Sequence, residues 1–148
     1  MSEATFAPAD PGYAARVRAS FASQGAMRLL GATIEALAPG RCRIELPFRD
    51  EVSQQHGYFH AGVTSTIADS AGGYAALTLF PATAEVLTVE FKINLTAPAN
   101  GERLVAEGRV VRSGRTLTVC TVEVACLRAG ALLPCALVQQ TVIRIDRT

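Results

Sequence analysis

"QQHGYFHAGVTSTIADSAGGYAA", residues 54–76, decides how this chain is read. The stretch contains one acid, Asp69, and two histidines at its start, His56 and His60, but no lysine or arginine. Glycines stand at its entrance, Gly57 and Gly62, and return as the pair Gly72-Gly73 one turn past the acid. The apolar, alanine-rich run that follows, closed by Pro81, predicts a helix over 61–80, because the residue before a proline is pushed out of helical backbone. A helix with no charged face must be covered on most sides. A membrane span is the competing reading. It fails on the central acid and the many small polar residues, which are costly in lipid.

The flanking segments supply the cover. Upstream, Asp10-Pro11 reads as an N-cap followed by proline at the first helical position. Tyr13, Val17 and Phe21 recur at helical spacing and Gly25 is the stop, so 1–26 holds a short N-terminal helix. From Met27 the pattern turns extended: "LLGATIEAL" and "RCRIELPF" flank the turn Pro39-Gly40. Cys42, Ile44 and Leu46 alternate with Arg41, Arg43 and Glu45, which gives that strand one wet face. Residues 47–60 form a polar loop.

Downstream come "EVLTVEFKINL", "RLVAEGRVVR", "TLTVCTVEVACL" and "CALVQQTVIRI". Strict alternation in the first places Leu87, Val89, Phe91, Ile93 and Leu95 on one face, with Thr88, Glu90, Lys92 and Asn94 on the other. Short connections at Pro98–Gly101, Ser113-Gly114 and Gly130–Pro134 predict that consecutive strands are antiparallel neighbours. The expected class is α+β: a six-stranded antiparallel sheet wrapped around a long central helix, with a short N-terminal helix.

Composition narrows the function. At 148 residues the chain is expected to be one domain, 1–148, and 49% hydrophobic against 18% charged residues excludes disorder. A net charge of +1 gives no broad platform for nucleic acid. Cys42, Cys120, Cys126 and Cys135 form no CxxC and have no histidine at zinc spacing, so reduced cysteines are expected. His56 and His60 lack a third ligand for a metal. The opening residues show no apolar secretory core, and a cytoplasmic location follows as the expectation.

The chemistry concentrates on the helix. A helix N-terminus offers unpaired N–H groups and partial positive charge, which suit the oxyanion of acyl transfer. Gly57, Ala61 and Gly62 keep that backbone accessible, and Asp69 can serve as general base or nucleophile. Gly72 and Gly73 share the face of Asp69, and each costs about 1 kcal/mol relative to alanine. Close packing and open space beside the carboxylate both account for that cost. Seven residues separate Gly62 from Asp69, or about 10 Å of helix. One helix cannot bring both groups to one carbonyl, whereas two antiparallel copies across a two-fold axis can.

The segment 54–76, followed by "VLTVEFKINLTAPANG" and "GRVVRSGRTL", resembles the hotdog-fold acyl-CoA thioesterases of the phenylacetate-degradation (PaaI-like) type. That family carries Asn-x-x-Gly-x-x-His-Gly-Gly and then an acid seven residues later; here the positions read Gln54, Gly57, His60, Ala61, Gly62 and Asp69. The resemblance implies hydrolysis of an acyl-CoA, aromatic or medium-chain, without a cofactor. It also implies a dimeric functional unit, with dimers pairing into tetramers.

By position, Asp69 is nucleophile or base, and the Ala61 N–H polarises the thioester carbonyl from the opposite subunit. His60 orients the entrance or contacts the thioester, Gln54 stands for the usual asparagine, and Thr88 stands where a hydroxyl holds the attacking water. Gly57, Tyr58, Gly62, Ser70 and Gly73 are expected substrate contacts. Arg112, Ser113, Gly114 and Arg115 are the candidates for the phosphates of coenzyme A, by guanidinium and backbone N–H donors; a solvated hairpin turn explains the same residues equally well. Gln54 is a methylene longer than asparagine, and Ala61 keeps the N–H but not the freedom of glycine. A non-catalytic acyl-CoA binding or sensing protein is the alternative that these two departures leave.

Overall fold

The computed structural model describes residues 5–147. Helix α1 (Tyr13–Ser23) and helix α2 (Gly25–Leu30) precede strands β1 (Thr33–Ala38) and β2 (Arg41–Pro47). A single turn of 3₁₀ helix (Asp50–Val52) leads to the central helix α3 (Ala61–Leu77). Strands β3 (Ala84–Leu95), β4 (Arg103–Ser113), β5 (Leu117–Arg128) and β6 (Ala131–Asp146) complete the chain. The six strands form one antiparallel sheet in the order β1-β2-β4-β5-β6-β3. This is the predicted α+β hotdog architecture, with α3 laid in the sheet's concave face.

Contact between helix and sheet is close because side chains are missing where the two cross. A Cβ on Gly108 of β4 would overlap the backbone of Ala71 and Gly72. The helix residues from Ile67 to Leu77 are buried apart from the half-buried Asp69. Ile44, Leu46, Ile67, Leu77, Leu104, Val122 and Val138 fill the space between the layers.

Five local expectations need correction. Gly25 does not stop the N-terminal helix but opens α2, which ends at Gly31 in the left-handed region (φ 77°). The first strand accordingly starts at Thr33, not Leu29. The Asp10 side chain accepts from Gly12 N–H at 2.8 Å, and the α1 helix itself begins only at Tyr13. Helix α3 ends at Leu77, short of Phe80, because the Thr78 hydroxyl donates to Ala75 O (2.6 Å) and accepts Gly40 N–H (2.7 Å), tying the helix end to the β1–β2 turn.

The fifth concerns β3. It pairs with β6, not with β4, and β4 pairs with β2 on its other side. The connection between β3 and β4 is no hairpin. It crosses the sheet end, where Ala99 O accepts from Phe59 N–H and Glu102 O from Phe48 N–H, both at 2.9 Å. Within β3 a bulge between Thr88 and Glu90 breaks the alternation. Val86 and Ile93, an odd number of residues apart, therefore both pack against the core. Thr88 is turned towards α3 and donates to Asp69.

Arg16 ties helix α1 to the end of α3. The Arg16 guanidinium donates to Leu77 O (3.3 Å), Phe80 O (2.7 Å) and Ala84 O (3.1 Å), and pairs with Asp10 at 3.0 Å. It thus satisfies carbonyls that the end of α3 leaves open.

Candidate active site

The entrance of α3 is built by a tight loop. Gln54 N–H donates to Tyr58 O (2.8 Å), Gly57 N–H to Gln54 O (3.0 Å), and His60 N–H to Val52 O (3.0 Å). Gly57 takes φ 79°, a conformation that glycine adopts without penalty. The His60 side chain caps the helix: its Nδ1 accepts from Gly62 N–H at 2.8 Å, which leaves Nε2 as the ring's donor. The helical ladder starts with Thr64 N–H on His60 O (3.0 Å). Gly62 N–H is therefore occupied, while the exposed Ala61 N–H has no hydrogen-bond partner among the described residues. The Gln54 carboxamide oxygen accepts from His56 N–H, holding that side chain in the loop. Gln54, Tyr58, Phe59, His60, Ala61 and Thr64 share one cavity with residues 95–99, of about 600 Å³.

Asp69 lies two turns further along, half-buried, in a different cavity of about 360 Å³. Its Oδ1 accepts the Thr88 hydroxyl and the Gln140 amide, both at 2.6 Å. Oδ2 receives no hydrogen bond from the described residues and is the carboxylate's free oxygen. Ser70 and Gly73 line the same cavity, together with Val86 and Leu87. Its far wall comes from α1 and the residue that follows it: Ser20, Ser23 and Gln24. Tyr74 holds that wall, accepting from Gln24 Nε2 at 2.7 Å, lying 3.2 Å from the Ser20 hydroxyl, and packing edge-on against Phe21 at 5.9 Å. No residue lines both cavities.

The two glycines of α3 have separate reasons. Gly72 faces the sheet, where a Cβ would overlap the Gln140 carboxamide and touch Val122. A Cβ on Gly73 would meet no atom within 4 Å, so this position is open space beside the carboxylate. Packing explains one and room explains the other.

Arg112 and Ser113 end β4 and Gly114 and Arg115 lie in the β4–β5 turn; all four are exposed and line neither cavity. Ser113 pairs with Thr118, Thr118 with Val142, and Val142 with Thr88. The turn thus sits at the Thr88 end of the sheet, three strand spacings or about 14 Å across. Gly114 is needed for the turn itself, since a Cβ there would press on Leu117 O.

The four cysteines are free and buried, and burial pushes the thiols of Cys42 and Cys120 up to about 12. Neither is a nucleophile at neutral pH. Among the described residues no helix is long and apolar enough to cross a membrane.

Comparison with known proteins identifies the family. Residues 56–128 match the thioesterase superfamily. Acyl-coenzyme A thioesterase 13 from Homo sapiens is 30% identical over 108 residues, covering 72% of this chain and 76% of that protein. A crystallised thioesterase family protein from Silicibacter pomeroyi is 47% identical and superposes with a TM-score of 0.90, over 91% of this chain and 99% of the other. The chain belongs to the thioesterase superfamily. As a thioesterase it is a thioester hydrolase. The PaaI protein of the E. coli phenylacetic acid degradation operon shares the fold, with a TM-score of 0.80 over 92% of this chain and 95% of that one at 18% identity.

The sequence reading missed one wall of the Asp69 cavity and one buried partner of its carboxylate. The wall of Ser20, Ser23 and Gln24 belongs to an N-terminal segment read only as a short helix. Gln140 carried a readable signal: alternation in β6 places it on the buried face with Ala136, Val138 and Val142, an amide in an apolar stripe.

Proposed function

We propose that this thioesterase hydrolyses acyl-CoA thioesters of aromatic or medium-chain acids to the free acid and CoA, at a site assembled from two copies of the chain. One observation carries the shared site: the base and the oxyanion donor open into separate cavities of a single chain. The outer edge of β3 supports a partner there. It is unpaired in the sheet, and Leu87, Val89, Phe91 and Leu95 lie exposed along it. A second copy adding to that edge by two-fold symmetry sets the two α3 helices antiparallel, with each Asp69 towards the other copy's Ala61. Pairing of two such dimers into a tetramer is the assembly expected from the family resemblance.

In this reading the reaction uses water and no cofactor. The Thr88 hydroxyl, whose proton points at Asp69 Oδ1, accepts a hydrogen bond from the attacking water. Asp69 Oδ2 takes the water's proton as its oxygen bonds to the thioester carbon. The carbonyl oxygen gains the negative charge and is held by the Ala61 N–H and the positive end of α3. Collapse of the tetrahedral adduct breaks the C–S bond, and CoA leaves as thiolate. The β4–β5 turn with Arg112 and Arg115 takes the nucleotide phosphates.

The test is release of free thiol from a panel of aromatic and aliphatic acyl-CoAs by wild type and Asp69→Asn. Turnover of at least one class, lost in the variant while acyl-CoA still binds, supports the reading. Binding without thiol release by the wild type overturns it.

A further inference from the structure

The side chain of Gln140 is fully buried, yet only half of its amide is satisfied. Its Nε2 lies 2.6 Å from Asp69 Oδ1, 3.1 Å from Asp69 O and 3.1 Å from Thr88 Oγ1. The two Asp69 oxygens accept only, which fixes the amide with nitrogen towards the helix. Its Oε1 then has no hydrogen-bond donor among the described residues and rests against Gly72, where the absence of a side chain makes room.

An amide retained only for packing would be an odd choice here. A buried acceptor without a partner lowers stability, and an apolar side chain of equal length would avoid that loss. Gly72 adds to the cost, as a glycine within a helix whose Cβ would displace the amide. The return is geometric. Asp69 projects from α3 and Thr88 from β3, and Gln140 on β6 is the third group that binds both. Without it, the carboxylate keeps one partner, a hydroxyl on an exposed edge strand.

We infer that Gln140 is a positioning residue for the hydrolytic reaction: its Nε2 locks the Asp69 carboxylate against the Thr88 hydroxyl, and Gly72 is kept as glycine to seat it. The inference rests on the acyl-CoA hydrolase reading above. Gln140 touches neither substrate nor the attacking water; it sets the direction in which Asp69 Oδ2 presents itself.

Gln140→Met keeps length and removes both the donor and the orphan acceptor. The expected result is a kcat lower by about 10²-fold, the size of loss that misplacing a catalytic group produces. KM for the acyl-CoA and the unfolding temperature stay unchanged, or the latter rises. In an Asp69→Asn background the same change leaves the residual rate alone, because the group through which it acts is already disabled. A lowered unfolding temperature with unchanged kcat, or a full loss repeated in the Asp69→Asn background, overturns the assignment.

A crystal structure of Gln140→Met gives a reading independent of turnover. Asp69 leaving Thr88 for another rotamer supports the inference, and Asp69 unmoved overturns it. If the wild type releases no thiol from any acyl-CoA, the hydrolase reading fails and the positioning role in catalysis falls with it; the Asp69 rotamer alone then says whether the lock exists.

Discussion

Ala61 and Asp69 lie on one helix, eight residues and about 12 Å apart, and they face different cavities. A reacting carbonyl needs both within about 3 Å. In the reading proposed above, each chain contributes one half to each of two shared sites.

The Ala61 N–H can be deleted without touching a side chain. Ala61 is the first helical residue, where proline is favoured, and His60 before it is extended (φ −65°, ψ 139°), as a residue preceding proline requires. Ala61→Pro is expected to fold normally, bind acyl-CoA and lose 10²–10³-fold in kcat, about the effect of removing an oxyanion donor. Steady-state kinetics beside a thermal melt checks it.

Mixing two dead variants tests the shared site. Ala61→Pro and Asp69→Asn, unfolded together and refolded in equal amounts, yield hybrids with one intact site. Random pairing restores about a quarter of the wild-type rate. A site confined within one chain would show no recovery.

The β4–β5 turn is separable from the chemistry. Arg112→Ala with Arg115→Ala should raise KM for acyl-CoA roughly tenfold and leave the hydrolysis of a short thiol thioester, which lacks phosphates, unchanged. Salt should weaken acyl-CoA binding by the wild type more than by the double variant.

The adjacent glycines should answer substitution in opposite senses. Gly73→Ala meets no atom and gains helix propensity, so stability rises by about 1 kcal/mol while the narrowed cavity slows bulky acyl groups. Gly72→Ala drives a methyl into Gln140 and Val122 and should lower both the unfolding temperature and kcat. Urea unfolding of the two variants distinguishes them.

The period-two strands, the Pro39-Gly40 turn and the uncharged helix were legible because each is a local pattern. Strand order was not, since β3 pairs with β6 through contacts between residues some fifty apart, such as Thr88 with Val142. The bulge at Val89 could not be seen either: nothing in "LTVEF" marks which residue the ladder will skip. Asp69, Thr88 and the helix entrance lay within recognisable motifs. Gln140 and Gln24 did not: from opposite ends of the chain, one reaches the Asp69 carboxylate and the other the cavity wall. Helix α2 is six residues opening on a glycine, too short for a periodic signal.

Helix α1 adds nothing to the sheet, yet with Gln24 it forms the outer wall of the cavity that holds Asp69. That wall is moored by Arg16 and Tyr74, whereas Asp69, Thr88 and Gln140 sit on the sheet and its helix. One wall of the cavity and the groups that bind the Asp69 carboxylate are therefore carried by separable parts of the chain. Exchange of roughly the first two dozen residues between related enzymes is expected to reshape that wall while the Asp69, Thr88 and Gln140 contacts stay as they are.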